Sequence, residues 1–211
     1  MIKCVIFDCD GTLVDSEYLG SQALAIKLLD YNITAEAVKL TDENRGAKFV
    51  DVLKRLEREY KVKFADNFVT EYRTFVLEQF KLHLQAFEGV ASALSQIELT
   101  MCVASNAPTE QLHLALSTTS LKEYFNGNIY SAYEVNSWKP DPELFLYAAD
   151  KMGFNPSECI VIEDSPVGIS AANAAGMQSV LFDPQGLYCA LPSSYKIEHM
   201  SALAPLLNGL S

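Results

Sequence analysis

Two carboxylates lie one residue apart near the beginning of the chain, directly after a short apolar run. Asp8 and Asp10 flank Cys9, and the apolar run at 4–7 precedes them. The run predicts a buried strand, and the two acids should lie at its carboxyl end. Burying a negative charge costs free energy unless a cation compensates for it. The pair therefore predicts a site that contains a metal ion or a basic side chain.

Two more apolar runs end in polar residues in the same way. The run at 101–104 precedes Ser105-Asn106, and the run at 159–162 precedes Glu163-Asp164. Ligands of a parallel sheet bind outside the carboxyl ends of its strands, so these residues should share one oxygen-rich rim. Oxygen ligands suit a hard divalent ion such as Mg²⁺. The expected members of the rim are Asp8, Asp10, Ser105, Asn106, Glu163 and Asp164, with Lys139 after a strand-like run at 128–133 as a source of positive charge.

The segment after the first acids has a helical pattern. Apolar residues recur at helical spacing in 18–30, 48–60 and 66–82. In the first of these segments the spacing predicts a buried face made of Leu19, Ala23, Ile26 and Leu29. We interpret residues 16–82 as an inserted α-helical domain.

The remaining residues, 1–15 and 83–211, predict an α/β core. From about Glu88 onward, short apolar runs alternate with helical stretches, which is typical of a parallel sheet with crossover helices. Asp141-Pro142 and Ser165-Pro166 each predict a helix with proline at its first position, and Tyr195 to His199 predicts a last short strand. The expected fold is a Rossmann-like three-layer core with a parallel sheet, interrupted by the helical insert.

Composition narrows the classes of partner. The chain has 211 residues, 49% of them apolar, and a net charge of −11, which disfavours nucleic acid and anionic membranes because both need a basic surface. The apolar segment at the N-terminus is interrupted by Asp8 and Asp10 before it could act as a signal peptide. The five cysteines have no CxxC spacing and are expected to be free thiols. Together these features predict a cytoplasmic protein; they leave the oligomeric state open.

The chain resembles the haloacid dehalogenase superfamily of phosphohydrolases, in the branch that carries a helical cap after the first motif. The resemblance covers about residues 1 to 183, and four motifs occur in the family's order. These motifs are Asp8-Cys9-Asp10-Gly11-Thr12, Ser105-Asn106, Lys139-Pro140, and Glu163-Asp164 followed by Ser165 and Gly168. Four ordered motifs are far more specific than any one of them.

The resemblance implies a role for each motif. Asp8 would attack phosphorus and carry an aspartyl-phosphate, and Asp10 would serve as the general acid and base. Phosphate would be bound by Gly11, Thr12, Ser105, Asn106 and Lys139, and Mg²⁺ by Asp8, the Asp10 carbonyl, Glu163 and Asp164. Family members place a substrate-reading loop in the cap, which corresponds here to Arg45, Gly46 and Lys48.

The implied activity is hydrolysis of a small phosphorylated metabolite, a sugar or sugar-acid phosphate such as 6-phosphogluconate. Asp10 argues against a dehalogenase, which lacks the second aspartate of the first motif. A phosphomutase of the best-known form has a histidine where this chain has Gly20, and a phosphonatase would need a cap lysine such as Lys27, Lys39 or Lys48. A receiver module that holds phosphate on Asp8 without turnover is the alternative from another class.

Overall fold

The chain divides into two compact units in a computed structural model that describes residues 1–44, 47–188 and 190–210. One unit consists of Met1–Asp15 and Gln85–Ser211, and the other of Ser16–Leu84. Their α-helices are α1 Glu17–Leu28, α2 Ala37–Asn44, α3 Phe49–Tyr60, α4 Phe68–His83, α5 Val90–Gln96, α6 Thr109–Thr118, α7 Ala132–Val135, α8 Glu143–Met152, α9 Pro166–Ala174 and α10 Leu203–Asn208. Short 3₁₀ turns occupy Leu29–Tyr31, Lys122–Phe125, Pro156–Glu158 and Met200–Ala202.

The first unit is built on one parallel sheet. Its strands are β1 Cys4–Phe7, β2 Thr100–Ser105, β3 Ile129–Ser131, β4 Cys159–Glu163, β5 Gln178–Phe182 and β6 Tyr195–Ile197, in the spatial order β3-β2-β1-β4-β5-β6. All five strand pairs are parallel. The chain therefore builds outward from β1 in both directions, and the ends of β1, β2 and β4 lie beside each other at the topological switch point. The predicted α/β fold with a parallel sheet is confirmed.

The central strand is apolar on both faces because helices cover both. Every residue of β1 is fully buried. Cys4 and Ile6 pack in one cluster with Phe145 of α8 and Ala172 of α9. Phe7 points to the opposite face, where its ring meets Phe125 edge-on at 5.9 Å. This packing on both faces fixes the position of the polar residues that follow the strand.

The second unit has its own apolar cluster, formed by α1 to α4 and the turns between them. Tyr31 contacts Phe64 and Phe68 at ring-centroid distances of 4.9 and 5.6 Å, and its hydroxyl accepts a hydrogen bond from the Ala65 N–H. Phe49 stacks on Tyr72 at 4.3 Å. A cluster that contains both aromatic and aliphatic side chains gives this unit a core of its own.

The predicted buried face of α1 is partly wrong. Ile26 and Leu29 are 45% and 57% exposed, whereas Leu24 and Leu28 are buried with Ala23. The segment is apolar on several sides, so spacing alone does not decide which side packs against α2 and α4.

Two other local predictions have different outcomes. Helix α9 begins at Pro166 with Ser165 accepting a hydrogen bond from the Gly168 N–H, as predicted, and β6 confirms the last short strand. Helix α8, however, begins at Glu143, so Pro142 is its N-cap residue rather than its first residue. Within the described residues, no helix is both long enough and apolar enough to cross a membrane.

Candidate active site

The carboxyl end of β1 brings Asp8 beside the end of β4. The Asp8 N–H donates to the carbonyl of Ile162 at 2.9 Å, which extends the strand pairing by one residue. Glu163 and Asp164 follow directly, and the side chains of Asp8, Glu163 and Asp164 are all buried. Sequence reasoning predicted that these acids would meet, and the structure brings them together.

Lys139 lies within this acidic group. Its ammonium nitrogen is 2.5 Å from Asp8 Oδ1 and 2.8 Å from Glu163 Oε1, and the residue is 3% exposed. The same nitrogen lies 4.8 Å from the ring centroid of Phe145, a distance that favours a cation–π interaction. The peptide bond between Lys139 and Pro140 is cis.

Burial and charge act in opposite directions on these groups. Desolvation disfavours the charged form of Lys139, but the adjacent charges of Asp8 and Glu163 outweigh it and raise the pKa of Lys139 above its usual value. Burial also raises the pKa of Asp8, and Lys139 opposes that change. A charged ammonium between two carboxylates therefore compensates part of the negative charge of the site.

Glu163 has protein partners on both oxygens. Oε1 accepts from Lys139, while Oε2 accepts from both the N–H and the hydroxyl of Ser165 at 2.8 Å. The Ser165 hydroxyl in turn caps α9 by accepting from Gly168 N–H at 3.1 Å. A Cβ atom on Gly168 would overlap the Glu163 carboxylate. This network fixes Glu163 as a bridge between Lys139 and the start of α9.

Asp164 is held by the loop that follows β1. Its Oδ1 accepts a hydrogen bond from the Thr12 hydroxyl at 3.1 Å. Gly11 has φ of 82°, in the left-handed region, and a Cβ atom there would overlap the Asp164 carboxylate. A glycine at this position thus permits the loop to approach the acid closely.

The three acids form a set that fits a divalent cation. One carboxylate oxygen each from Asp8, Glu163 and Asp164 lie within 4.8 Å of one another. Hard oxygen donors at this spacing suit Mg²⁺. Because Glu163 already accepts three hydrogen bonds, Asp8 and Asp164 are the side chains better placed for direct coordination.

Asp10 and Ser105 form the other side of the predicted rim. The Ser105 hydroxyl donates to Asp10 Oδ2 at 3.5 Å and accepts from the Ala107 N–H at 3.1 Å. Asp10 is half-buried, unlike Asp8. This difference leaves Asp10 more accessible to a bound molecule.

Of the residues in the predicted cap loop, the structure describes only Lys48. Lys48 is the N-cap residue of α3 in the second unit. Arg45 and Gly46 lie outside the described residues.

Sequence reasoning missed two contacts to Lys139. One is the Phe145 ring, and the other is the Asn106 side chain, which bonds to the Lys139 backbone. Asn106 is 33 positions from Lys139, and Phe145 belongs to none of the four motifs. No local sequence pattern could therefore indicate either contact.

Known proteins are similar to this chain in sequence and in fold. Residues 2–176 match the model of the haloacid dehalogenase-like hydrolases. The chain is 33% identical over 208 residues to a 6-phosphogluconate phosphatase from Escherichia coli, covering 97% of this chain and 94% of that protein.

Two solved structures extend the likeness to the whole fold. A haloacid dehalogenase-like protein of unknown function from Agrobacterium tumefaciens is 27% identical with a TM-score of 0.87, over 100% of this chain and 99% of that one. A hydrolase of the same class from Deinococcus radiodurans, crystallised with bound phosphate and sodium, is 27% identical with a TM-score of 0.80, over 99% and 96%.

Proposed function

Because this chain belongs to the haloacid dehalogenase-like hydrolase family, we propose that it is a metal-dependent phosphatase that acts through an aspartyl-phosphate on Asp8. The match over residues 2–176 confirms the predicted resemblance, and it agrees with the predicted enzyme class, a phosphatase of this family. The observation that carries the proposal is the buried Lys139 ammonium, which lies 2.5 Å from Asp8 beside a carboxylate set that fits a cation.

The first step is attack of an Asp8 carboxylate oxygen on phosphorus. A bond forms between that oxygen and phosphorus, and the bond from phosphorus to the leaving alcohol oxygen breaks. Asp10 gives its proton to the departing oxygen. Lys139 and Ser105 stabilise the charge on the phosphoryl oxygens. The backbone N–H groups of Gly11 and Thr12 already donate to the carbonyls of Val14 and Cys9, so these two residues shape the loop instead.

The second step releases phosphate from Asp8. Asp10, now ionised, takes a proton from a water molecule, whose oxygen attacks phosphorus. The bond between phosphorus and Asp8 breaks, which returns Asp8 to a carboxylate and Asp10 to its protonated form. Splitting the displacement into two steps lowers each barrier. Asp10 suits this role because its half-buried side chain remains accessible to a leaving group and to water.

Asp8, the Asp10 carbonyl and Asp164 would hold Mg²⁺, with Glu163 acting directly or through water. When bound, the ion supplies positive charge that neutralises the phosphoryl oxygens and the acids around them. Thr12 and Gly11 support this site because the hydroxyl and the close backbone approach fix the Asp164 carboxylate.

The substrate that we propose is a sugar or sugar-acid phosphate, with 6-phosphogluconate the leading candidate. The relative from Escherichia coli carries that activity in its name, and the Deinococcus structure holds phosphate. In this proposal residues 1–15 and 83–211 form the catalytic domain. Residues 16–82 form the cap, and its loop with Arg45, Gly46 and Lys48 reads the substrate.

A phosphate-release screen over phosphorylated metabolites in the presence of Mg²⁺ tests the proposal. We expect many turnovers on sugar-acid or sugar phosphates, and loss of turnover in Asp8→Asn. Asp150→Asn, which changes an exposed carboxylate on α8, is the matched control and should keep the parent rate. Release of a single equivalent of the leaving alcohol, with the phosphoryl group retained on the protein, would instead indicate a receiver module. Full activity of Asp8→Asn would refute the mechanism.

A further inference from the structure

The Asn106 side chain bonds to both backbone groups of Lys139. Its Oδ1 accepts from the Lys139 N–H at 2.9 Å, and its Nδ2 donates to the Lys139 carbonyl at 3.4 Å. The two residues are 33 positions apart, on the loops that follow β2 and α7. Only an amide offers an acceptor and a donor in the spacing that matches one residue's N–H and C=O.

The loop that carries Asn106 is itself fixed. The Ala107 N–H donates to the Ser105 hydroxyl at 3.1 Å, and the Ala107 carbonyl accepts from the buried Ser131 hydroxyl at 2.6 Å. These bonds tie the turn after β2 to β2 and β3. Asn106 thus connects a rigid part of the sheet to the Lys139 backbone.

We propose that Asn106 is a positioning residue that acts through Lys139. The ammonium of Lys139 reaches Asp8 and Glu163 at the end of a flexible four-carbon chain, so its location depends on where its backbone lies. Loss of the amide frees that backbone and moves the ammonium away from the reacting phosphoryl group. The inference rests on the proposed function and goes beyond direct phosphate binding by the motif.

A double-mutant cycle distinguishes this role from direct phosphate binding. The rate of single-turnover hydrolysis of para-nitrophenyl phosphate with Mg²⁺ is measured for the parent, Asn106→Ala, Lys139→Met and the double variant. We expect Asn106→Ala to lower the rate by about 10- to 100-fold, the scale of a small misplacement of a charged group. In the Lys139→Met background the same change should alter the rate by less than about two-fold, because the residue it positions is gone.

Asn173→Ala is the matched control. The Asn173 amide donates to the Pro192 carbonyl at 3.0 Å and so links the last turn of α9 to a loop of the same unit, away from the acidic site. The Asn173→Ala variant should hydrolyse the substrate at the parent rate. Asn106→Ser, whose hydroxyl is too short to span both backbone groups, carries the same expectation as Asn106→Ala and replaces it if the alanine variant does not fold.

Two results would overturn the role of Asn106. One is a parent-like rate in both Asn106 variants, and the other is a double variant whose loss equals the product of the two single losses. The second result would indicate that Asn106 contacts phosphate independently of Lys139. A parent protein without hydrolytic activity would instead refute the proposed function, so the two failures are distinguishable.

Discussion

At the scale of single residues, the site depends on how closely charged groups approach. Glu163 accepts hydrogen bonds from Lys139 and from two groups of Ser165, and Gly168 leaves the space that its carboxylate occupies. Such contacts tolerate little displacement, because a buried charge that loses its partners is expensive.

The change Gly168→Ala tests this packing. The new Cβ atom would overlap the Glu163 carboxylate, so we expect a loss of about 1–3 kcal/mol in the free energy of unfolding and a lower turnover rate. Gly20→Ala is the control, because its Cβ atom would meet only the Tyr72 hydroxyl at 3.4 Å. Alanine there should stabilise α1 by about 1 kcal/mol. Chemical denaturation of both variants gives the comparison; equal stability changes would contradict the packing argument.

Cys9, between the two aspartates, should be chemically inert in the folded protein. It is fully buried, and burial raises the pKa of its thiol well above the usual value, with Asp10 and Asp8 adding to the effect. Iodoacetamide at neutral pH should leave the Cys9 peptide unmodified in the native protein and alkylate it in denaturant, as read by peptide mass spectrometry. Rapid native alkylation would contradict the assigned burial.

At the scale of elements, a carboxylate organises the chain after β5. Asp183 is buried, and its two oxygens accept hydrogen bonds from the Leu187 and Tyr188 N–H groups and from Lys196 of β6. Burial opposes ionisation, but these donors prevail and the pKa of Asp183 is lowered. The acid thus stabilises the turn that connects the last two strands.

Asp183→Asn should therefore destabilise the protein in a pH-dependent manner. A depressed pKa in the folded state contributes stability above the unfolded value of about 4, and that contribution disappears as the pH falls through the folded value. We expect a deficit of about 1–3 kcal/mol at neutral pH that shrinks in acid. Unfolding curves from pH 7 to about 3 measure it. A deficit that is independent of pH would show that the charge of Asp183 is not responsible.

Local sequence signals predict these elements better than they predict packing. The apolar runs identify β1, β2 and β4, and Ser165 with Pro166 identifies the start of α9. Helix α2 has a single buried apolar residue, Leu40, and its pattern gave no prediction. The buried face of α1 was predicted wrongly at Ile26, which is exposed. The spacing of apolar residues cannot choose between several apolar sides of one helix. The link from Asn106 to Lys139 is non-local and needs the folded chain.

At the scale of the whole molecule, charge is distributed unevenly between the two units. Residues 16–84 contain 11 acidic and 11 basic residues, whereas the rest of the chain contains 16 acidic and 5 basic residues. The unit that holds the active site therefore carries the whole net charge of −11. An anionic substrate meets overall repulsion there, so local cations must provide the attraction.

A bound divalent ion should consequently stabilise the folded protein. We expect Mg²⁺ to raise the thermal unfolding midpoint of the parent protein, because it binds the native acids and not the unfolded chain. Asp164→Asn should lose most of this response, whereas Asp150→Asn should retain it. Chelation should also abolish turnover, and added Mg²⁺ should restore it. If Mg²⁺ does not change the unfolding midpoint of the parent protein, the proposed metal site is contradicted.

Trapping the phosphoryl group on Asp8 is the decisive experiment for the proposed mechanism. The protein is mixed with Mg²⁺ and a substrate that it hydrolyses. The reaction is quenched in acid within one turnover, and the protein is then digested for peptide mass spectrometry. We predict one phosphoryl group on the peptide that contains Asp8, and none in Asp8→Asn. A protein that turns over rapidly without any adduct at Asp8, and whose Asp8→Asn variant remains active, would contradict the account.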